Sequence, residues 1–132
     1  MARKEDIELI KSRALHMLEA AKFHLKRGHY DLAAFMAEQA VQLFTKYKIL
    51  ELTGEMPRTH TIRHLFGILR ELVGSKASII DDYVEKKRSL FIRLEEAYIA
   101  LRYLFRRYEK EETRELIEFS EEVIHFVSNI QV

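Results

Sequence analysis

The stretch from Tyr30 to Leu52 is apolar around nearly the whole circumference of a helix, and this feature most constrains the fold. Its apolar residues recur at every angular position: Tyr30, Leu32, Ala33, Phe35, Met36, Ala37, Ala40, Val41, Leu43, Phe44, Tyr47, Ile49 and Leu50. A helix that is apolar all round is buried all round. The small residues Ala33, Ala37 and Ala40 let neighbouring helices approach closely. We therefore expect residues 30–52 to form the central helix of a bundle.

Length and composition predict a single helical domain over residues 1–132. A chain of 132 residues can bury one sizeable core. Four Gly and one Pro leave little material for turns, which favours long helices. Apolar residues make up 48%, too many for a disordered chain, and charged residues make up 33%, too many for a membrane span. We expect no membrane partner.

Charge and cysteine content limit the classes of partner. The net charge of +1 gives no general attraction to nucleic acid or lipid, so a charged ligand must bind a local patch. The absence of cysteine excludes disulfides and thiolate metal sites. The basic start is not followed by an apolar stretch that suits export. These observations predict a cytoplasmic protein.

The helical period also predicts the helices on both sides of the central one. Residues 5–26 form one amphipathic helix, and Gly28 can end it in a left-handed cap. Asp31, or the turn before it, then opens the central helix, which stops near Gly54. The first two helices are therefore expected to form an antiparallel hairpin.

Turn signals divide the second half of the chain. Pro57 predicts a loop, Thr59 a cap for a third helix, and Gly74 the end of that helix. Ser78 followed by Asp81 resembles a capping box that opens a fourth helical stretch.

The last third of the chain leaves one boundary open. Residues 75–108 contain no Gly or Pro, so this stretch forms one helix or two. The charged segment 103–113 turns the chain into the last helix. The prediction is an all-α, five-helix, up-and-down bundle.

Several short motifs, in this order and spacing, resemble the HEPN domain (higher eukaryotes and prokaryotes nucleotide-binding). They are Ala20-Ala21, Leu25 to Gly28 with Tyr30, Ala33 through Ala40 with Gln39-Ala40, Pro57-Arg58-Thr59-His60 ahead of Leu65 to Leu69, and Ala97-Tyr98-Ile99 leading to Arg102-Tyr103. The resemblance covers almost the whole chain. It implies a five-helix bundle, commonly dimeric, that often works beside a minimal nucleotidyltransferase. Family members include nucleotide-binding modules and RNA-cleaving toxins.

Two positions depart from the pattern of that family. Gln42 stands where a Glu is usual after the Gln-Ala pair, and Leu104 stands where a Pro usually follows Arg-Tyr.

Cations and an aromatic ring near one helix end form the first candidate site. Arg102, Tyr103 and Arg106 have the chemistry of a nucleotide or RNA phosphate site. His60 lies near a predicted helix start, where an anion can bind. The alternative is that the cations only interact with the helix dipole and that His60 is a local cap.

An Arg and a His at nuclease spacing form the second candidate. The nuclease members of the HEPN family carry an Arg followed by four to six residues and a His, and Arg58 and His64 have that spacing. The resemblance implies that Arg58 would bind the scissile phosphate and that His64 would act as acid or base. Such a pair is also expected by chance in a chain this rich in Arg.

A metal centre is not predicted. Glu122 and His125 have the spacing of one half of a di-iron site, but that site needs a second Glu-x-x-His, and the sequence has none.

The predicted function is a non-catalytic module that binds a nucleotide or a partner protein such as a minimal nucleotidyltransferase, with no cofactor apart from that nucleotide ligand. The competing prediction is a HEPN ribonuclease toxin of a toxin-antitoxin pair, which would act on RNA without a metal. We also expect a homodimer, because aromatic residues lie on several faces of one predicted helix: Phe91, Tyr98, Phe105 and Tyr108.

Overall fold

Six α-helices make up the computed structural model, which describes residues 2–131. They are α1 (Lys4–Lys26), α2 (Tyr30–Thr53), α3 (Ile62–Leu72), α4 (Ala77–Lys86), α5 (Arg88–Tyr103) and α6 (Lys110–Ser128). No residue in this described range belongs to a β-strand. The prediction of an all-α fold is confirmed.

The central position of α2 is also confirmed. This helix packs against α1, α3, α5 and α6. Ala33, Ala37 and Ala40 have no exposed surface, so the neighbouring helices lie close to the α2 backbone. Burial on several sides is what an all-round apolar helix requires.

Two left-handed glycines set the limits of the first hairpin. Gly28 has φ +78° after α1, and Gly54 has φ +81° after α2, as predicted for helix ends. Of the two predicted starts of α2, the turn before Asp31 is the one observed: His29 precedes the helix, and Asp31 is already inside its first turn. The Asp31 carboxylate instead accepts a hydrogen bond from the Tyr108 N–H at 2.8 Å, which ties the α5–α6 connection to the start of α2.

The predicted N-terminal caps of α3 and α4 are wrong. Thr61 precedes α3, because the Thr59 hydroxyl accepts the Thr61 N–H at 3.4 Å and forms a local turn before the helix starts. Gly74, with φ +57°, ends α3 as predicted and begins a short 3-10 turn that leads directly into α4. Asp81 does not cap α4, since its carboxylate accepts two hydrogen bonds from Arg70 at 2.7 and 2.8 Å.

The open boundary in residues 75–108 resolves into two helices, which makes six helices where five were expected. Lys87 separates α4 from α5 with φ −105° and ψ 13°. Both angles are accessible to a residue other than Gly or Pro, so neither of these residues marks the break in the sequence. The predicted turn near residues 103–113 is confirmed by the non-helical connection between α5 and α6.

Part of the aromatic surplus that suggested a dimer is buried in the monomer. Phe91 lies in the core, and Tyr108, which follows α5, is also buried. One group of exposed apolar residues lies at the end of α5 and just after it, where Leu101, Tyr103 and Leu104 precede a fully exposed Phe105. Across residues 2–131, none of the helices has the length and apolar character needed to cross a membrane.

Replacing Ala37 or Ala40 by Leu is expected to lower the free energy of unfolding by about 1–3 kcal/mol, because the larger side chain overpacks a fully enclosed position. Urea denaturation followed by circular dichroism measures this change. Ala20→Leu, on a half-buried position of α1, is the control and should cost less. Wild-type unfolding midpoints for the α2 variants would contradict the packing described for α2.

Candidate functional site

The central helix α2 carries polar side chains that are buried in the interior of the bundle. Glu38, Gln42 and Lys46 are only 1%, 6% and 9% exposed. Because buried polar groups are costly unless they are hydrogen-bonded, each of them must find a partner inside the bundle.

The Glu38 carboxylate is held by two amides. Its Oε1 accepts a hydrogen bond from Gln39 Nε2 at 2.7 Å, and its Oε2 accepts one from Gln42 Nε2 at 3.0 Å. Burial raises the pKa of Glu38 from its ordinary value of 4.5 to about 7, although these two hydrogen bonds oppose the shift. The nearby Glu95 raises this pKa further, and Lys46 lowers it.

His60 approaches α2 from the α2–α3 connection. Its Nδ1 lies 3.0 Å from Lys46 Nζ and 3.3 Å from Gln42 Oε1. The ammonium group of a lysine can only donate, so Nδ1 is the acceptor in the shorter contact and the ring proton is on Nε2. The longer contact then joins two acceptors and is not a hydrogen bond. This assignment applies to the charged form of Lys46, whose pKa is lowered by burial.

Tyr98 connects His60 to Arg102. The rings of His60 and Tyr98 are nearly parallel, at 16°, with centroids 6.3 Å apart. The Arg102 guanidinium lies 4.9 Å from the Tyr98 ring centroid and 5.4 Å from that of Phe35. Within residues 2–131 no carboxylate pairs with Arg102, so its N–H donors stay available to a ligand.

An ion pair joins α3 to α5. Arg63, in the first turn of α3, donates from Nε and Nη2 to Glu95 on α5 at 2.8 and 3.0 Å, and its backbone N–H donates to the same carboxylate at 3.2 Å. The hydrogen bond to Glu95 raises the pKa of Arg63. This bidentate pair fastens α3 to α5 beside His60.

These residues surround one cleft, which we call the His60 cleft. It has a volume of about 220 Å³ and is lined by Glu38, His60, Thr61, Glu95, Tyr98 and Ile99. Two carboxylates and two aromatic rings therefore face one small space. Arg102 lies beside it, on the Tyr98 ring.

The four predicted ligand-binding residues occupy different surroundings. His60 and Arg102 are brought together by Tyr98. Tyr103 is 73% exposed at the end of α5. Arg106 is surrounded by partners, since it pairs with Glu96 at 3.0 Å and with Glu112, and its guanidinium lies 3.8 Å from the Tyr108 ring centroid.

Sequence reasoning missed Glu38, which lines the cleft, and Lys46, which contacts His60. Neither was predicted as a ligand-binding residue. The available signal was their position on a helix that is otherwise apolar all round, since a charge there must be buried with it.

The residues of the nuclease and metal candidates lie outside the His60 cleft. Arg58 and His64 are both exposed, and His64 Nδ1 lies 3.5 Å from the Thr59 hydroxyl. Glu122 accepts a hydrogen bond from the Tyr83 hydroxyl at 2.7 Å. The part of the chain that the structure describes contains no group of three or more potential metal ligands.

A larger cavity of about 470 Å³ lies between α4 and α6 and shares no lining residue with the His60 cleft. Its walls are mainly apolar, and several of its polar side chains already have partners. Lys76 donates to the Gln131 carbonyl at 3.0 Å, and His125 contacts Asn129 at 3.2 Å. It therefore offers less to a charged ligand than the smaller His60 cleft does.

Comparison with known proteins supports the resemblance in the sequence. A family model described as the HEPN domain matches residues 7–130, nearly the whole chain. No curated protein matches the chain.

Glu38→Gln is expected to remove a pH dependence of stability. The folded carboxyl has a pKa of about 7, above its ordinary 4.5, so the folded state holds the proton more tightly than the unfolded state does. Wild-type stability should then fall as pH rises through this window, by up to about 3 kcal/mol. Because Gln cannot ionise, the variant should be the more stable protein at pH 8.

Urea denaturation at pH 5 and pH 8 measures this difference. The exposed Glu55→Gln is the control, which should keep the wild-type slope. An equal loss of stability from pH 5 to pH 8 in the Glu38→Gln variant would mean that Glu38 does not titrate in this range.

Proposed function

Because the chain belongs to the HEPN domain family of nucleotide- and RNA-related modules, we propose that it binds a nucleotide without transforming it. The observation that carries this proposal is the Arg102 guanidinium, held over the rings of Tyr98 and Phe35 with no carboxylate partner in the described chain. An arginine oriented in this way can bind a phosphate with two parallel hydrogen bonds.

The remaining ligand-binding roles follow from the contacts around Arg102. His60 and Tyr98 offer aromatic faces on which a base can stack. Tyr103 is exposed one residue further along α5 and can contact the same ligand. Arg106 has a structural role in this proposal, because Glu96 and Glu112 already satisfy its charge.

A protein partner is compatible with the same site. A minimal nucleotidyltransferase subunit that holds a nucleotide could present its phosphates to Arg102, so the nucleotide would lie between the two proteins. This form of the proposal predicts weak nucleotide binding by the isolated chain and tighter binding in the complex.

The ribonuclease toxin stays an untested alternative. It would use Arg58 to orient the phosphate and His64 as general acid or base, and it needs both side chains to face one concave surface, most simply across a dimer. Both side chains are exposed and neither lines the His60 cleft. Cleavage of RNA by the purified chain that is lost in His64→Ala would favour the toxin over the binding module.

Arg102→Ala is expected to weaken nucleotide binding by about tenfold or more, because the phosphate loses a charged hydrogen-bond donor. Calorimetric titration with ATP and GTP measures the change. Arg88→Ala, at an exposed position in the first turn of the same helix, is the control and should bind like the wild type. Equal affinity of the Arg102 and Arg88 variants would remove Arg102 from the site.

We also propose that the chain forms a homodimer through the exposed apolar residues at the end of α5. Phe105 has no burial in the monomer, and Leu101, Tyr103 and Leu104 are exposed next to it. A contiguous apolar patch of this kind usually marks an interface. A second copy of the chain offers the same patch, so a two-fold contact would cover both.

Phe105→Ser is expected to shift the protein from dimer towards monomer, because it removes the largest exposed apolar side chain of the patch. Light scattering at high micromolar concentration measures the mass. Phe23→Ser removes another exposed Phe, on α1, and should leave the dimer intact. A monomer mass for the wild type would refute the dimer.

A further inference from the structure

The His60 cleft joins acceptors at its floor with aromatic walls. Glu38 and Glu95 supply carboxylates, and His60 and Tyr98 supply nearly parallel rings. A phosphate would be repelled by the floor, so the phosphate must bind outside the cleft at Arg102. The group that suits the cleft is planar, apolar on its faces and rich in N–H donors along its edge.

The acceptors of the cleft are only partly used. Each oxygen of Glu38 accepts one hydrogen bond, from an amide of its own helix. Glu95 accepts two at Oε2 and one at Oε1, all from Arg63. A carboxylate oxygen can accept two hydrogen bonds, so three of the four oxygens keep a free lone pair.

We propose that the His60 cleft selects guanine, with the base N1–H and 2-amino group donating to the carboxylates of Glu38 and Glu95. This inference rests on the proposed nucleotide binding and adds the identity of the base. Guanine carries two adjacent donor groups on one edge. Adenine has an acceptor nitrogen beside its amino group, and uracil has a single N–H between two carbonyl oxygens, so each would place an acceptor against a carboxylate.

The position of Tyr98 lets one nucleotide reach both the His60 cleft and the Arg102 guanidinium. Its ring contacts His60 at the cleft and the Arg102 guanidinium beside it. In this proposal the base stacks in the cleft, and its sugar and phosphate extend along Tyr98 to Arg102. Glu95 is held in place by Arg63, so its acceptors are oriented before the ligand binds.

Burial of Glu38 supplies a physical reason for selectivity. Its carboxylate is 1% exposed, and burial raises its pKa to about 7. An ionised carboxylate in that position has one amide hydrogen bond at each oxygen in place of the fuller solvation that water would provide. N–H donors from a ligand would replace them, whereas a ligand acceptor would add to the cost.

Calorimetric titration at pH 8 with GMP, IMP and AMP tests this proposal. IMP keeps the N1–H but lacks the 2-amino group, so we expect it to bind about tenfold more weakly than GMP, and AMP to bind more weakly still. The preference of GMP over IMP should shrink to near unity in Glu95→Gln. Glu96→Gln, which changes the neighbouring carboxylate that pairs with Arg106, is the matched control and should keep the preference.

The results of these titrations distinguish guanine selection from nucleotide binding itself. Equal binding of the three nucleotides, with all affinities lowered by Arg102→Ala, would overturn guanine selection and leave nucleotide binding intact. An unchanged GMP preference in Glu95→Gln would overturn the role of that carboxylate. Binding of none of the three nucleotides would overturn both proposals. Because the comparison of GMP with IMP uses the wild type, it holds even if a variant fails to fold.

Discussion

Enclosure of α2 is the constraint from which the rest of the structure follows. Four helices pack around it, so the polar side chains that it buries must be satisfied inside the protein. His60, from the α2–α3 connection, contacts Lys46, whereas Gln39 and Gln42 of α2 itself hold the Glu38 carboxylate. The candidate site therefore lies where α2 places polar side chains in the core.

Helical periodicity was sufficient to predict the fold class and the central helix, because burial of an apolar face leaves a direct pattern in the sequence. The caps were less predictable. Thr59 and Asp81 have the right chemistry for capping, but the first makes a local turn and the second pairs with Arg70 on another helix. Such competition between partners depends on three-dimensional position, as does the break at Lys87, where an ordinary backbone conformation ends the helix.

The candidate site was predicted in part for the same reason. His60 and Arg102 could be named from their chemistry, but only the packed structure brings both to the Tyr98 ring. Arg106 has equivalent chemistry in the sequence and is neutralised by two carboxylates in the structure. Whether an arginine is available to a ligand is a property of its neighbours, and those neighbours come from distant parts of the chain.

The hydrogen bond from Gln42 to Glu38 limits the substitutions that position 42 accepts. A Glu at position 42 would place a second carboxylate at hydrogen-bond distance from Glu38 in the interior, where two like charges are costly. The effects of substitutions at the two positions are therefore not additive. A Gln42→Glu change would be tolerated better once residue 38 is uncharged, so the order in which the two positions change matters.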